Sequence, residues 1–262
     1  MASAQEPVSR EATADSTFGA GLPAWLGRLG NVRNVVRQEM ISRQLGKHLP
    51  KHPVRVLDVG AGQGTQSIRL ARAGHQVLAV EPDPVMRAVF QAALRAEPAE
   101  VRDLLMLRDG SVGDLAEVTG GKVYDTVVFL GVLMYLPASQ PVIAELAAHV
   151  APGGFLTLAV RTTTSAIWRP AARQDWQAAL AAFSEYDLAR AEGRDMRYIN
   201  EIGTTARADD LAALTALATA CGLQLENWYG VRIAVDPDEL DPPPPSDPRQ
   251  LPYLNPPLPE ES

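Results

Sequence analysis

Residues 56–64 read VLDVGAGQG. Asp58 stands two positions ahead of Gly60, and Gly62 and Gly64 follow at alternate positions. A second carboxylate, Glu81, ends the run HQVLAVE, 17 residues after Gly64. Glycine lacks a Cβ, so this spacing permits a sharp turn and lets another group approach the backbone closely. A carboxylate beside such a turn can hold a cation or accept hydroxyl groups.

The pattern differs from the usual dinucleotide fingerprint. That fingerprint is G-x-G-x-x-G, with a pyrophosphate on a helix N-terminus. Here it is G-x-G-x-G, and Asp58 would repel an anion at that place. A ligand with a cationic end suits it better. Glu81 fits the place of an acid that accepts both ribose hydroxyls. Gly60 is read as the tight turn, Gly62 as the close approach, and Gly64 as the residue that lets the helix pack near the strand.

The elements around these residues follow a βα rhythm. VRVLDV (54–59) and HQVLAVE (75–81) read as strands, with a helix over 65–74 stopped by Gly74. DPVMRAVFQAALRAE (83–97) reads as a helix capped by Asp83, with Pro84 at its first position. LLMLRDG (104–110), YDTVVFLG (124–131) and FLTLAV (155–160) are three further strands, and 139–154 is a helix ending at Pro152-Gly153-Gly154. Short apolar strands between helices predict an α/β fold with a doubly wound, mostly parallel sheet covered on both faces. Residues 33–47 and 170–190 read as helices outside this core, and 207–221 as one capped near Asp209. LQLENWYGVRIAV (223–235) reads as late edge strands. The expected organisation is a polar, disordered N-terminus over 1–20, one domain over 21–236 with a helical insertion, and a tail over 237–262. Ten of the 26 tail residues are proline, which excludes helix and central strand.

Composition narrows the class. The 262 residues are 46% apolar and 21% charged, which suits a globular domain. No apolar stretch reaches the ~20 residues of a membrane span, and residues 1–16 lack the apolar core of a secretory signal. One cysteine, Cys221, and four histidines argue against a disulfide and a metal site. The cytoplasm is the expected compartment. The net charge of −7 weighs against non-specific nucleic-acid binding. Two basic clusters, one including Arg33 and Arg37 and one including Arg169, Arg173 and Arg197, read mostly as solvated helix faces.

VLDVGAGQG followed by AVEPD resembles the class I S-adenosylmethionine-dependent methyltransferases, over about residues 54–160. DGSVGDL (109–115), YDTVVFLGVLMYL (124–136) and VAPGGFLTLAV (150–160) match the family's later segments. The resemblance implies a Rossmann-like fold and S-adenosyl-L-methionine as cofactor. It implies contacts from Asp58, Gly60, Ala61, Gly62, Gly64, Glu81 and Pro82. Gly110, Ser111 and Val112 would flank the adenine, and Leu130 and Gly131 the methionine side. Met86 is read as packing on adenine or ribose, or as ordinary helix core. GNVRNVVRQEM (30–40) and WYGVRI (228–233) are similar to segments of the tRNA carboxymethoxyuridine methyltransferase group. That similarity places Arg33 on the cofactor's carboxylate. Leu130 departs from the group, which carries histidine there.

Methyl transfer from an activated sulfonium needs alignment more than acid–base help. The loop GVLMYLPAS (131–139) contains no His, Asp, Glu or Lys, and Tyr135 is its one titratable side chain. Catalysis by proximity is therefore expected, with a carboxylate or hydroxyl acceptor. Tyr135, Trp168, Arg169, Tyr229 and Arg232 are the candidates for the acceptor side. The acceptor is expected to be tRNA, at its wobble uridine, or a small molecule. The other readings are a secondary-metabolite O- or N-methyltransferase, a non-catalytic cofactor-binding module, and a dehydrogenase, for which no second phosphate loop is present.

Overall fold

In the computed structural model, which describes residues 18–231, five parallel strands form the central sheet. They are β1 (Arg55–Val59), β2 (Gln76–Val80), β3 (Leu105–Arg108), β4 (Tyr124–Leu130) and β5 (Val150–Ala159), in the order β3-β2-β1-β4-β5. The chain runs outward from β1 to β3, then crosses back to β4 and outward to β5. The switch lies between β1 and β4, where doubly wound sheets open a crevice at their carboxyl ends.

Ten helices accompany the strands among the described residues. α1 (Phe18–Leu26) and α2 (Val32–Gly46) precede the sheet, and α3 (Thr65–Arg72), α4 (Pro84–Arg95) and the short α5 (Ala99–Arg102) link the first three strands. α6 (Leu115–Thr119) and α7 (Gln140–Ala148) flank β4. After β5 come α8 (Thr163–Ala172), α9 (Trp176–Glu192), the antiparallel pair β6 (Met196–Ile199) and β7 (Thr205–Ala208), and α10 (Leu211–Ala220).

The period of two along the strands splits the core between the sheet's faces. Leu57, Val59, Val127 and Phe129 face α7 and α10, while Val54, Val56 and Val128 face Ile68 and Phe90. Each fully buried aliphatic or aromatic side chain contributes ~1.5–3 kcal/mol, so these rows fix the register. Asp83 caps α4 by accepting from the Val85 and Met86 amides at 2.8 and 2.9 Å. Pro84 opens that helix, as its fixed φ and missing N–H allow.

Several expectations shift. The helix expected over 139–154 ends at Ala148, Pro152-Gly153-Gly154 lies inside β5, which starts at Val150 rather than Phe155, and α1 begins at Phe18, within the segment expected to be disordered. Residues 223–231 contain no strand, and the antiparallel pairing is made instead by β6 and β7 as a separate two-stranded sheet. The alternation in LQLENWYG is not read out because Leu225 and Trp228 stay exposed. The cap of α10 is Asp210, which accepts from the Ala213 amide at 2.9 Å, rather than Asp209. The 170–190 segment is two helices, broken at Gln174, whose φ of 61° is left-handed. Arg232 and the proline-rich tail lie outside the described residues, as does most of the N-terminal segment.

Gly64 caps α3 at φ 83°, and a Cβ there would sit 2.2 Å from Cδ2 of Phe90 on α4. Its missing side chain therefore lets two helices meet, not helix and strand. Gly74 has a similar φ of 89° with nothing within reach of a Cβ. Gly64→Ala is expected to cost about 2–4 kcal/mol, strain plus overpacking, against about 1 kcal/mol for Gly74→Ala. Urea unfolding measures both, and equal losses would remove the Phe90 contact as the cause.

Candidate active site

The crevice at the carboxyl end of the sheet opens into a continuous cavity of about 1710 Å³. One flank is the glycine turn. Gly60 has φ 67°, and its amide donates to the Val80 carbonyl at 2.8 Å, tying the end of β1 to β2. A Cβ on Gly60 would lie 2.5 Å from Val132 Cγ2, so this glycine makes room for the loop after β4. Gly62, at φ 59°, faces the cavity and has only Met86 Cε within van der Waals range of a Cβ. Of the three glycines, one leaves open space in the cavity and two make room for the protein's own side chains.

Gly62 also joins the two carboxylates' neighbourhoods. Its amide donates to Glu81 Oε2 at 2.8 Å, and the Asp83 amide donates to Glu81 Oε1 at 2.9 Å. Each oxygen keeps a further lone pair, so Glu81 can still accept two hydroxyls. Asp58 is buried and accepts from Ser67 Oγ at 2.5 Å. Neither carboxylate has an ion-pair partner among the described residues. Burial pushes Asp58 up to about 6, with Glu81 adding to the rise and Ser67 opposing it. Burial also raises Glu81, against the two backbone amides. Two buried carboxylates without a cation form a site that a positively charged ligand would relieve.

The other flank is built outside the core. α2 is latched onto α3: Gln66 Nε2 donates to Gln38 O at 2.9 Å, Ser42 Oγ donates to Gln66 at 2.7 Å, and Arg69 pairs with Glu39 at 3.1 Å. This directs Arg33 and Arg37 to the cavity, Arg37 with its guanidinium 4.9 Å from the Trp25 ring centre. Arg37 is therefore not part of a solvated face. Tyr135 stacks edge-on with Phe18 at 5.2 Å and accepts from Asn200 Nδ2 at 3.3 Å. Burial pushes its hydroxyl up to about 12, so it keeps its proton at neutral pH.

Most sequence candidates converge here. Arg33, Asp58, Gly60, Ala61, Gly62, Glu81, Pro82, Met86, Leu130 and Gly131 line the cavity, as do Tyr135, Trp168, Arg169 and Tyr229. Gly64, Gly110, Ser111 and Val112 do not line it. Ser111 and Val112 are buried, in a capping box closed by Asp114. Tyr229 is pinned to the end of α2 by His48, Nε2 to hydroxyl at 2.9 Å.

Sequence reasoning missed four side chains. Glu201 pairs with Arg161 at 3.1 Å and with Arg169, and Asn200 holds Tyr135. Arg207 is almost wholly buried and donates to the Leu136 and Leu133 carbonyls at 2.7 and 2.9 Å, to Ser139 Oγ at 2.8 Å and to Asp195 at 2.5 Å. It fastens the loop after β4 to β7. No spacing in the sequence links residues 133–139 to 207. The one available signal was an arginine inside the apolar alternation TARA.

Residues 31–227 match the methyltransferase domain family, and the chain belongs to it. Among its relatives is the tRNA 5-carboxymethoxyuridine methyltransferase of Escherichia coli K12, 30% identical over 49% of this chain and 48% of that one. The chain thus spans about half the length of that relative. The ubiquinone biosynthesis O-methyltransferase of Xanthomonas euvesicatoria pv. vesicatoria is 31% identical over 76% of this chain and 72% of that one. The structure of an O-methyltransferase family protein from Burkholderia thailandensis superposes with a TM-score of 0.53 at 17% identity, covering 75% of this chain and 54% of that one. That likeness carries the fold alone.

The raised Asp58 gives a pH prediction. Between its ordinary value of 3.8 and about 6, the unfolded chain has released this proton while the folded chain keeps it. Stability therefore falls as pH rises through that window, and the full loss, ~2–3 kcal/mol, stands above pH 6. Asp58→Asn is expected to raise the unfolding free energy at pH 7 by up to that amount and to leave it nearly unchanged at pH 4. Thermal unfolding across the range checks it. A variant less stable than wild type at pH 7 would show that the carboxylate supports the fold.

Proposed function

We propose that this chain is an S-adenosylmethionine-dependent methyltransferase that alkylates an oxygen acceptor, a carboxylate or a hydroxyl. The observation that carries the reading is the pair of buried carboxylates at the tips of β1 and β2, neither in a side-chain ion pair among the described residues, with the bare Gly62 between them. The donor set fits the cofactor. Asp58 would hold its amino group, Glu81 its ribose diol and Arg33 its carboxylate, while Leu130 and Gly131 would flank the methionine part. When bound, the cofactor supplies a methyl group on a positively charged sulfur, ready for in-line displacement.

The chain's own contribution is then position and exclusion of water. Tyr135 keeps its proton and serves as a donor rather than a base, and no other titratable group stands on the loop 131–139. An acceptor that arrives as an anion requires no base. A carboxylate meets that demand directly, and a hydroxyl meets it if already acidic. The relative named a tRNA 5-carboxymethoxyuridine methyltransferase keeps a tRNA acceptor in view. The longer match to a ubiquinone biosynthesis O-methyltransferase, together with the net charge of −7, favours a small acceptor.

Calorimetric titration tests the cofactor. S-adenosylmethionine and S-adenosylhomocysteine are expected to bind at micromolar levels, and NAD not at all. Glu81→Gln should weaken both by about tenfold or more, the scale of a charge-assisted hydrogen bond. Affinity should also decline as pH falls through about 6, where Asp58 takes up its proton. NAD binding as tight as the sulfur compounds, or indifference to Glu81→Gln, would overturn the reading. Labelled methyl transfer to a carboxylate library or to bulk tRNA then separates the acceptors.

A further inference from the structure

The end of the cavity away from Glu81 carries an excess of positive charge. Arg37 from α2, Arg161 at the tip of β5 and Arg169 from α8 all line it, with one carboxylate, Glu201, from the β6–β7 turn. Glu201 is shared: it lies 3.1 Å from Arg161 Nη2 and also pairs with Arg169 Nη1. Three guanidiniums face one carboxylate. Arg169 is 8% exposed, yet its Nε and Nη2 have no hydrogen-bond partner, and neither has the buried Nε of Arg37. Buried N–H groups without partners are uncommon and mark a place where an acceptor belongs.

The surroundings say which kind. Trp168, Trp25, Phe18 and Tyr135 line the same space, the last three in edge-to-face contact. Aromatic walls beside guanidiniums suit a flat anion that stacks and takes paired N–H donors. The hairpin fixes the group. Asn200 holds Tyr135, and the Asp209 amide donates to the Arg161 carbonyl at 2.8 Å. Arg161 stands at the end of a strand remote from the carboxylate pair. β5 lies two strands from β1 and three from β2, which is about 10 and 14 Å at ~4.8 Å per strand.

We propose that Arg37, Arg161 and Arg169, with Glu201 as their shared counter-ion, form a subsite that holds a planar carboxylate of the acceptor. It rests on the transferase reading only in naming this end of the cavity the acceptor side. Glu201 competes with the incoming anion for Arg161 and Arg169, so its removal strengthens binding. A purely structural ion pair would behave in the opposite way.

The test uses the full chain, with and without saturating S-adenosylhomocysteine, and benzoate, benzamide and inorganic phosphate as probes. Benzoate should bind in both states, and benzamide at least about tenfold more weakly. Arg169→Gln should weaken benzoate about tenfold while S-adenosylhomocysteine affinity stays within about twofold, and Glu201→Gln should tighten benzoate severalfold. Equal binding of benzoate and benzamide would overturn the subsite, as would no gain from Glu201→Gln. Phosphate binding tighter than benzoate would reassign it to phosphorylated ligands. A parallel loss of S-adenosylhomocysteine in Arg169→Gln would assign the arginines to the cofactor's own carboxylate. Failure of S-adenosylhomocysteine to bind wild type counts against the transferase reading, and the benzoate result without it still decides the subsite.

Discussion

Two carboxylates at neighbouring strand tips, buried and without a side-chain ion pair among the described residues, are the constraint around which this molecule is arranged. Parallel pairing sets Asp58 and Glu81 at the ends of adjacent strands. Burial strips both of water, and a like charge adds to each rise, Glu81 for Asp58 and Asp83 for Glu81. Both are pushed toward the protonated form as a result. The backbone partly offsets this cost by giving Glu81 two amides, one of them from Gly62. That amide reaches the carboxylate only because the chain takes left-handed turns at Gly60 and Gly62.

The same turn controls the opposite side of the crevice. Val132 leans against the bare face of Gly60, so the loop after β4 closes directly over the end of β1. Arg207 then holds that loop from behind through two carbonyls and a hydroxyl. Tyr135 is thereby presented to the cavity with Asn200 and Phe18 about it. A buried guanidinium is tolerable only with most of its donors satisfied, and here five acceptor groups surround it, counting Asp209 at 3.4 Å.

The cavity consequently carries opposite charge at its two ends. Its end at β1 and β2 is acidic, and its end at β5, α2 and α8 is basic, within a chain of net charge −7. A ligand pair with a cationic centre at one end and an anionic group at the other would meet complementary charge at both. Low-dielectric walls strengthen such matching relative to water. The net charge of the chain says nothing of this gradient, because it sums over surfaces that the cavity does not share.

Local sequence determined the core. Period-two apolar strands, the cap Asp83-Pro84, the terminator at Gly74 and the spacing of Asp58, the glycines and Glu81 are short-range features, and each element ends close to where its residues require. Consecutive parallel strands then bring Asp58 and Glu81 together without further information, which is why that half of the site was legible. The other half was decided by tertiary structure. Arg37, Arg161, Arg169 and Glu201 lie on four separate elements, and Arg207 grips a loop about 70 positions earlier in the chain. An arginine on a helix reads the same whether it faces water or a cavity, since helical periodicity places it on a face but does not say what that face meets. Gly60 and Gly64 make the same point: the sequence marked where side chains had to be absent, and only packing showed that Val132 and Phe90 fill the space.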